Sequence, residues 1–325
     1  MDKNVLGSKI SIIIPAYNVE DYIAKCVESC IEQTLYDIEI VVVDDGSTDS
    51  TPQILDLYAE KDSRVRVFHR GNHGVSASRN FGIENSTGRW IMFVDSDDYL
   101  EKHACEIVWK ETMTNYCEIV CHGGFIIPDY PKPESWKYWA VITRKQYYEQ
   151  FGFNVMEERG SNPFLWLQAF SRELLERTGV RFHEGISFGE DLIFQFEIFP
   201  FSRGVSFIPD RIYFYRWYRN GSLMKEAAAD LDKRTAMHIS NEDIIASYWK
   251  EHGLVDKYGK DLLKWMLGMI IPDLDTLELK NVNILATQLK NTIEKNGLKE
   301  YHKQLDGVGR RQYKKMESYA SGKKQ

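Results

Sequence analysis

The chain has 325 residues, long enough for an α/β domain of 200 or more residues with a further segment attached. Hydrophobic residues make up 43% of it, which is enough to build a sizeable core. The net charge of −7 and the pI of about 5.7 argue against a broad surface for nucleic acid or acidic lipid. They remain compatible with a small phosphate pocket.

The five cysteines show none of the tight CxxC or HxxxH spacings of a zinc site, so we expect reduced core thiols in a cytoplasmic protein. The polar opening segment is unlike a signal peptide. The longest late apolar stretch, residues 262–271, is too short to span a bilayer and contains Lys264.

Apolar runs alternate with helical patterns over the first 120 residues. The runs predict strands at residues 9–14, 38–43, 65–69, 90–94 and 117–122. Runs without a polar face indicate strands that are buried on both sides. This alternation predicts a Rossmann-like, mostly parallel sheet with helices on both faces. Ligands of such sheets bind at the carboxyl ends of the strands, where this chain places polar or glycine-bearing loops.

After residue 122 this rhythm changes. A loop rich in proline and glycine leads into short elements up to residue 222. From Lys225 onward the patterns are mainly helical, with breaks expected near Gly253, Pro272 and Gly297. We therefore predict a C-terminal helical region.

Three carboxylates, Asp95, Asp97 and Asp98, follow the buried run 90–94. Such a cluster can hold a hard divalent cation that takes its other ligands from phosphate and water. A solvated turn that caps the next helix is the alternative. The position at the end of a buried strand, beside a second acidic loop, favours the cation site.

Asp44 and Asp45 form that second loop, and Tyr17 follows the first strand. The carboxylates could accept hydrogen bonds from a base or ribose, or stabilise a strand-to-helix turn. The Tyr17 ring could stack on a base or cover the sheet edge. Neither GxGxxG nor GxxxxGK[ST] follows the first strand, so a dinucleotide fingerprint and a Walker loop are not supported.

The segments "SIIIPAYNVEDY", "VVVDDGSTD", "NHGVSASRN" and "FVDSDDYL", in this order and spacing, resemble family 2 glycosyltransferases of the glycosyltransferase-A fold. The resemblance is dense over residues 9–125 and thins through residues 126–222. It implies a nucleotide-diphosphate sugar donor, a divalent metal (Mn²⁺ or Mg²⁺) and inversion at the anomeric carbon.

The resemblance also implies residue roles on the donor side. The base and ribose pocket would comprise Pro15, Ala16, Tyr17, Asp44 and Asp45, with Asp45 bonding a base that is commonly uracil. Arg79 and Asn80 would hold the nucleotide or brace its loops. Asp97 would be the main metal ligand, and Asp95 would face the ribose or the metal, with Ser96 between them. Asp98 would cap the next helix or contact the donor sugar.

Inversion requires a base for the acceptor hydroxyl, and the family places it at a helix start in the second half. "SFGEDLIFQF" matches, with Asp191 as the base and Glu190 as its neighbour. The alternative is two acids favoured at a helix N-terminus by the macrodipole.

"YFYRWYRNGS", residues 213–222, resembles the closing strand and arginine-bearing loop of the family. Arg216 or Arg219 would contact the diphosphate or an acceptor phosphate, unless both are solvated. Arg216 and Trp217 resemble part of the QxxRW motif of processive synthases, but position 213 is Tyr and no membrane span follows. We expect transfer of one sugar at a time.

The resemblance divides the chain into a nucleotide-sugar-binding half (residues 1–125), an acceptor-binding half (126–222) and a helical region (223–325). The acceptor would be a saccharide or a lipid-linked molecule in polysaccharide biosynthesis, not nucleic acid. With a lipid-linked acceptor, the C-terminal helices would contact the inner face of the membrane. A sugar-nucleotide nucleotidyltransferase and a non-catalytic sugar- or nucleotide-binding module are the alternatives. The donor sugar, the acceptor and the oligomeric state do not follow from the sequence.

Overall fold

The computed structural model describes residues 7–127, 144–157, 164–186, 188–217 and 230–323. Contacts divide the chain into two compact units, one comprising residues 1–187 and 198–219 and the other comprising residues 188–197 and 220–325. The predicted three-part division at residues 125 and 222 stays a prediction.

A mixed sheet of nine strands, counted over the described residues, forms the first unit. The strands are β1 (Ile10–Ala16), β2 (Ile38–Asp44), β3 (Val65–His69), β4 (Trp90–Phe93), β5 (Tyr99–Leu100), β6 (Ile119–Ile127), β7 (Gln146–Tyr148), β8 (Gln168–Ser171) and β9 (Val205–Arg216). Their order is β3-β2-β1-β4-β8-β6-β9-β5, and β7 pairs with β9.

The helices of this unit are α1 (Ile23–Ile31), α2 (Thr51–Lys61), α3 (Val75–Glu84), α4 (Ala104–Thr114), α5 (Phe153–Glu157) and α6 (Arg172–Thr178). Strands β3, β2, β1 and β4 are mutually parallel, and every residue of β1 and β2 is buried. The five predicted strands and the mostly parallel sheet are confirmed. The antiparallel strands β5, β7 and β8 were not predicted, because each has only two to four residues and shows no periodic pattern.

The second unit consists of helices. They are α7 (Glu190–Ile198), which begins in this unit, α8 (Leu231–Glu251), α9 (Leu254–Thr276), α10 (Leu279–Lys295) and α11 (Gly307–Ala320). A 3₁₀ segment, Leu298–Gln304, precedes α11. None of the helices in the described ranges has the length and apolarity needed to cross a bilayer. The helical C-terminal region is confirmed.

Two of the three predicted helix breaks are confirmed. Gly253 and Gly297 adopt positive φ angles of 69° and 75° between helices, a conformation that glycine adopts without strain. The break at Pro272 was wrong, because α9 continues through this residue to Thr276. Ile271 and Leu274 are buried on either side of Pro272, so packing of this last turn outweighs the lost backbone hydrogen bond.

All five cysteines are free and buried, as predicted. The core of the first unit also contains a buried histidine, His122 on β6. Its side chain is fully buried, and its Nδ1 lies 3.1 Å from the carbonyl oxygen of Gly123. Burial lowers the pKa of His122 to about 4, although the contact with Gly123 opposes this shift.

We expect His122 to make the protein less stable in mild acid. The unfolded chain binds the proton near pH 6.5, whereas the folded chain excludes it down to about pH 4. The free energy of unfolding should therefore fall by about 2 kcal/mol between pH 6.5 and pH 5. Urea unfolding at several pH values measures this slope. His122→Asn should reduce this pH dependence of the free energy of unfolding, whereas the control His252→Asn, at an exposed histidine, should not. Equal slopes in both variants would refute the assignment of the pH dependence to His122.

Candidate active site

The loops after β1 and β2 are joined through Asn18. Asn18 has a positive φ of 49°, which Asn tolerates better than most residues. Its backbone N–H donates to Ser47 Oγ at 3.0 Å, and its Oδ1 accepts from the Thr48 N–H at 2.8 Å. An Asn at this position would be expected to cap the first helix. However, α1 begins only at Ile23, and the residue at its N-cap position is Tyr22, which makes no side-chain cap bond. Asn18 instead shapes the loop after β2.

The end of β1 is buried, and the residue that follows it presents its ring to solvent. Pro15 and Ala16 are buried and paired with Val43 and Asp44 of β2. The next residue, Tyr17, is 45% exposed. Its ring is accessible at the carboxyl edge of the sheet, which favours stacking on a ligand over covering the sheet.

Asp44 is bonded within the fold. It is 2% exposed, its Oδ1 accepts from the Ser47 N–H at 3.0 Å, and its Oδ2 lies 2.8 Å from His69 Nδ1. The hydrogen bond to Asp44 raises the pKa of His69, whereas partial burial opposes the shift. These contacts favour a turn-stabilising role for Asp44. Its predicted contact with the nucleotide stays a prediction.

Asp45 joins the loops after β2 and β3. Its two carboxylate oxygens accept from the N–H groups of His73 and Gly74 at 2.9 and 2.8 Å. Gly46 beside it has φ of +80°, and a Cβ there would lie 2.9 Å from the Asn72 nitrogen, so only glycine fits. A carboxylate has about four acceptor positions, so Asp45 keeps capacity for the N–H of a base.

Helix α3 contributes Arg79 and Asn80. Arg79 is 3% exposed, donates to Asp95 Oδ1 at 3.1 Å and lies over the Phe182 ring at 5.3 Å. The Asn80 amide donates to the Phe182 carbonyl and accepts from its N–H, both at 2.9 Å. The predicted roles of Arg79 and Asn80 were to hold the nucleotide or to brace its loops, and these contacts support the bracing role. Phe182 was missed, because no spacing links it to the motif.

The acidic turn after β4 places its carboxylates in different surroundings. The Asp98 N–H donates to the Asp95 carbonyl at 2.9 Å and closes the turn. The Asp95 side chain is 33% exposed beside Arg79, Asp97 is partly exposed, and Ser96 is buried. Asp98 is 1% exposed. Asp95 and Asp97 are thus the acids of this turn that solvent reaches.

The buried Asp98 bonds to β9. Its Oδ2 accepts from the Tyr213 hydroxyl at 2.8 Å, and its Oδ1 accepts from the Arg216 N–H at 2.6 Å. Burial, followed by the charges of Asp97 and Asp95, raises the pKa of Asp98 well above its usual range. The expectation that Asp98 caps the next helix was wrong, because α4 begins at Ala104.

Arg216, a predicted phosphate ligand, lies at this turn. Its Nε donates to the Asp97 carbonyl at 2.9 Å, and its guanidinium lies over the Tyr22 ring at 5.0 Å. The predicted contact of Arg216 with phosphate remains untested. Arg219, its alternative, lies outside the described residues.

The donor set fits a hard divalent cation that is shared with a substrate. Within the described ranges, no three His, Cys, Asp or Glu side chains are grouped closely enough to enclose a metal. Asp97 and Asp95 offer carboxylate oxygens at a partly exposed turn, and Asp98 is bonded elsewhere. Mn²⁺ and Mg²⁺ suit this arrangement, because they bind through one or two carboxylates together with phosphate and water.

Glu190 and Asp191 lie in the first turn of α7. The turn before them is held by α8, because Asn241 donates from Nδ2 to the Phe188 carbonyl at 2.8 Å. Gly189 adopts φ of +80°, and a Cβ there would lie 2.3 Å from Asn241 Nδ2. Both acids thus follow a tightly packed turn at the start of a helix.

The first unit combines a mixed, mostly parallel sheet with an acidic turn at the carboxyl end of β4, as expected for the glycosyltransferase-A fold. The sequence profile of glycosyl transferase family 2 matches residues 11–179, which is more than half of the chain. The chain belongs to this family.

Two relatives come from Bacillus subtilis (strain 168). EpsJ, described as an uncharacterized glycosyltransferase, is 35% identical over 215 residues, which cover 64% of this chain and 60% of EpsJ. EpsH, described as a putative glycosyltransferase, is 29% identical over 255 residues, which cover 78% of this chain and 72% of EpsH. The chain therefore spans less than two thirds of the length of EpsJ.

Two solved structures share the fold. S. aureus TarS 1-349 in complex with UDP-GlcNAc aligns with a TM-score of 0.61 at 19% identity, covering 97% of this chain and 92% of that one. The mannosyltransferase PcManGT from Pyrobaculum calidifontis, in complex with GDP-Man and Mn²⁺, aligns with a TM-score of 0.52 at 18% identity, covering 97% and 86%. At these identities the alignments establish the glycosyltransferase-A fold alone.

Proposed function

We propose that this protein is an inverting, metal-dependent glycosyltransferase that transfers one sugar from a UDP-sugar to a hydroxyl of a saccharide or lipid-linked acceptor. The observation that carries the proposal is the acidic turn after β4, held between Arg79 of α3 and Arg216 of β9. This turn presents Asp95 and Asp97 at the edge where parallel sheets bind ligands.

The donor would bind through groups on three loops. Tyr17 would stack on the base, and Asp45 would accept a hydrogen bond from the base N–H. Arg79 would keep Asp95 oriented toward the ribose or the metal. Of the fold neighbours, TarS was solved with UDP-GlcNAc and PcManGT with GDP-Man and Mn²⁺, which supports a nucleotide-sugar donor and a divalent metal.

Asp97, with Asp95, would hold Mn²⁺ or Mg²⁺. When bound, such an ion would neutralise charge on the diphosphate leaving group. Asp191 would accept the proton of the acceptor hydroxyl, with Glu190 beside it. The acceptor oxygen then bonds to the anomeric carbon as the bond to the diphosphate breaks, and this single displacement inverts the configuration.

Two other functions have less support. A sugar-nucleotide nucleotidyltransferase needs a glycine-rich, basic loop after its first strand to hold a triphosphate, and "PAYNVEDY" contains neither Gly nor Lys. A non-catalytic binding module would have no use for an acid at Asp191. Turnover of UTP with a sugar 1-phosphate would support the former, and sugar binding without donor hydrolysis would support the latter.

We expect UDP to bind at least about tenfold more weakly in EDTA than in Mn²⁺, because the turn adds negative charge where the diphosphate lies. Calorimetric titration measures this difference. A thermal-shift panel of UDP-, GDP- and dTDP-sugars with Mn²⁺ then identifies the donor. Equal affinity for UDP with and without metal would contradict metal-dependent binding, and preference for another nucleotide would contradict the UDP assignment alone.

A lipid-linked acceptor would place the protein at the cytoplasmic face of a membrane during polysaccharide biosynthesis. Binding to anionic vesicles tests this part of the proposal. Absence of binding would favour a soluble saccharide acceptor.

A further inference from the structure

The Tyr213 hydroxyl of β9 holds both ends of the acidic turn. It donates to Asp98 Oδ2 at 2.8 Å and accepts from the Asp95 N–H at 3.1 Å. Tyr213 is fully buried and Asp98 is 1% exposed, so solvent does not compete for either bond. One oxygen atom thus fixes the first and the last residue of the turn.

Arg216 holds the same turn from a second point on β9. Its backbone N–H donates to Asp98 Oδ1 at 2.6 Å, and its Nε donates to the Asp97 carbonyl at 2.9 Å. The Asp98 N–H in turn donates to the Asp95 carbonyl at 2.9 Å. The backbone on both sides of the Asp97 side chain is therefore fixed by hydrogen bonds.

Burying the Asp98 side chain between the turn and β9 is energetically unfavourable. Removing a carboxylate from water is unfavourable, and an apolar residue of similar volume often packs as well or better. The contacts of Asp98 reach no donor-binding surface, since both of its oxygens point to β9. The contacts of Asp98 are therefore those of a residue that fixes the backbone geometry of the acidic turn.

We propose that Asp98 and Tyr213 are positioning residues, which set the backbone of the turn so that Asp97 can bind a divalent cation, and that Asp98 is not itself a ligand. This inference rests on the proposed metal-dependent function. It gives Asp98 a structural role in place of a ligand role. It also makes the affinity for the cation depend on the Tyr213 hydroxyl, which is 116 positions away in sequence from Asp97.

The first test is Tyr213→Phe, which removes one oxygen atom. The ring can keep its stacking on Trp166, at 4.7 Å between centroids. We expect the apparent Kd for Mn²⁺ in the presence of UDP, measured by electron paramagnetic resonance, to rise by about tenfold or more. Tyr319→Phe is the matched control, because Tyr319 is also buried and its hydroxyl donates to the Asp275 carboxylate at 2.6 Å in the helical unit.

The second test separates a positioning role from a ligand role at Asp98. An Asn can still accept from the Arg216 N–H through its amide oxygen. Its amide nitrogen can donate to the Tyr213 oxygen, which reverses the direction of that bond and turns the hydroxyl proton away, but the Asn has no charge to offer a cation. We expect Asp98→Asn to keep Mn²⁺ affinity within about threefold of the wild type, and Asp98→Ala to lose about tenfold or more.

Two results would overturn the inference. One is Tyr213→Phe binding Mn²⁺ as tightly as the wild type and Tyr319→Phe do. The other is Asp98→Asn losing as much affinity as Asp97→Ala, which would make Asp98 a ligand. Failure of the proposed function is distinguishable from either, because the wild-type protein would then show no metal-dependent UDP binding at all.

Discussion

Asp97→Ala is expected to reduce sugar transfer by at least about a thousandfold, because loss of the proposed metal ligand would remove stabilisation of the charge that develops on the leaving group. Asp97 is partly exposed, and its carbonyl is already bonded to Arg216 Nε, so the change removes a carboxylate without removing a backbone contact of the turn. The measurement is the initial rate of transfer from the identified donor at saturating Mn²⁺.

The stability of Asp97→Ala distinguishes lost function from lost fold. The charge of Asp97 contributes to the raised pKa of Asp98, after burial. Removing the Asp97 charge relieves repulsion within the turn, so the free energy of unfolding of the metal-free protein should be unchanged or higher. Substitutions at functional sites where like charges lie close together commonly stabilise the protein.

Glu60→Ala is the control for this experiment. Glu60 is an exposed acid on α2, so the variant loses the same charge at a site remote from the turn. It should keep wild-type transfer and wild-type binding of UDP with Mn²⁺. Transfer by Asp97→Ala at the rate of Glu60→Ala would remove Asp97 from the mechanism. Asp95→Ala should have a smaller effect than Asp97→Ala, because Asp95 is already paired with Arg79.

The parts of the fold that could be predicted are those encoded by local patterns. β1 and β2 are buried at every position, so their mostly apolar runs identified them without knowledge of their neighbours. Once these strands were known to be parallel, the rule for their carboxyl ends also placed Tyr17, Asp45 and Asp97 near one edge.

The parts that could not be predicted depend on contacts between distant segments. Tyr213 reaches Asp98 across 115 positions, and no motif spacing connects a buried tyrosine to an acidic turn. Asn is a common residue type at helix caps, yet Asn18 has a positive φ and lies against the loop after β2. Its hydrogen bonds with Ser47 and Thr48 hold it there. Such assignments require the tertiary structure, because one residue type serves several local roles.

Asp191→Asn is expected to lower kcat by about a thousandfold while leaving UDP binding unchanged, because a general base contributes roughly 10²–10⁴ to the rate and does not contact the nucleotide. An amide cannot accept the acceptor proton, so the acidic limb of the pH–rate profile should also disappear. Glu190→Gln identifies which of the two neighbouring acids has this role, since its loss should be much smaller.

The competing explanation for Asp191 is the helix macrodipole, and the chain offers a matched control for it. Asp256 lies in the first turn of α9, as Asp191 lies in the first turn of α7. If both acids act only on their helices, Asp191→Asn and Asp256→Asn should each lower the free energy of unfolding by about 0.3–1 kcal/mol and leave kcat intact. If Asp191 is the base, the two variants should be similarly stable, and only Asp191→Asn should lose transfer.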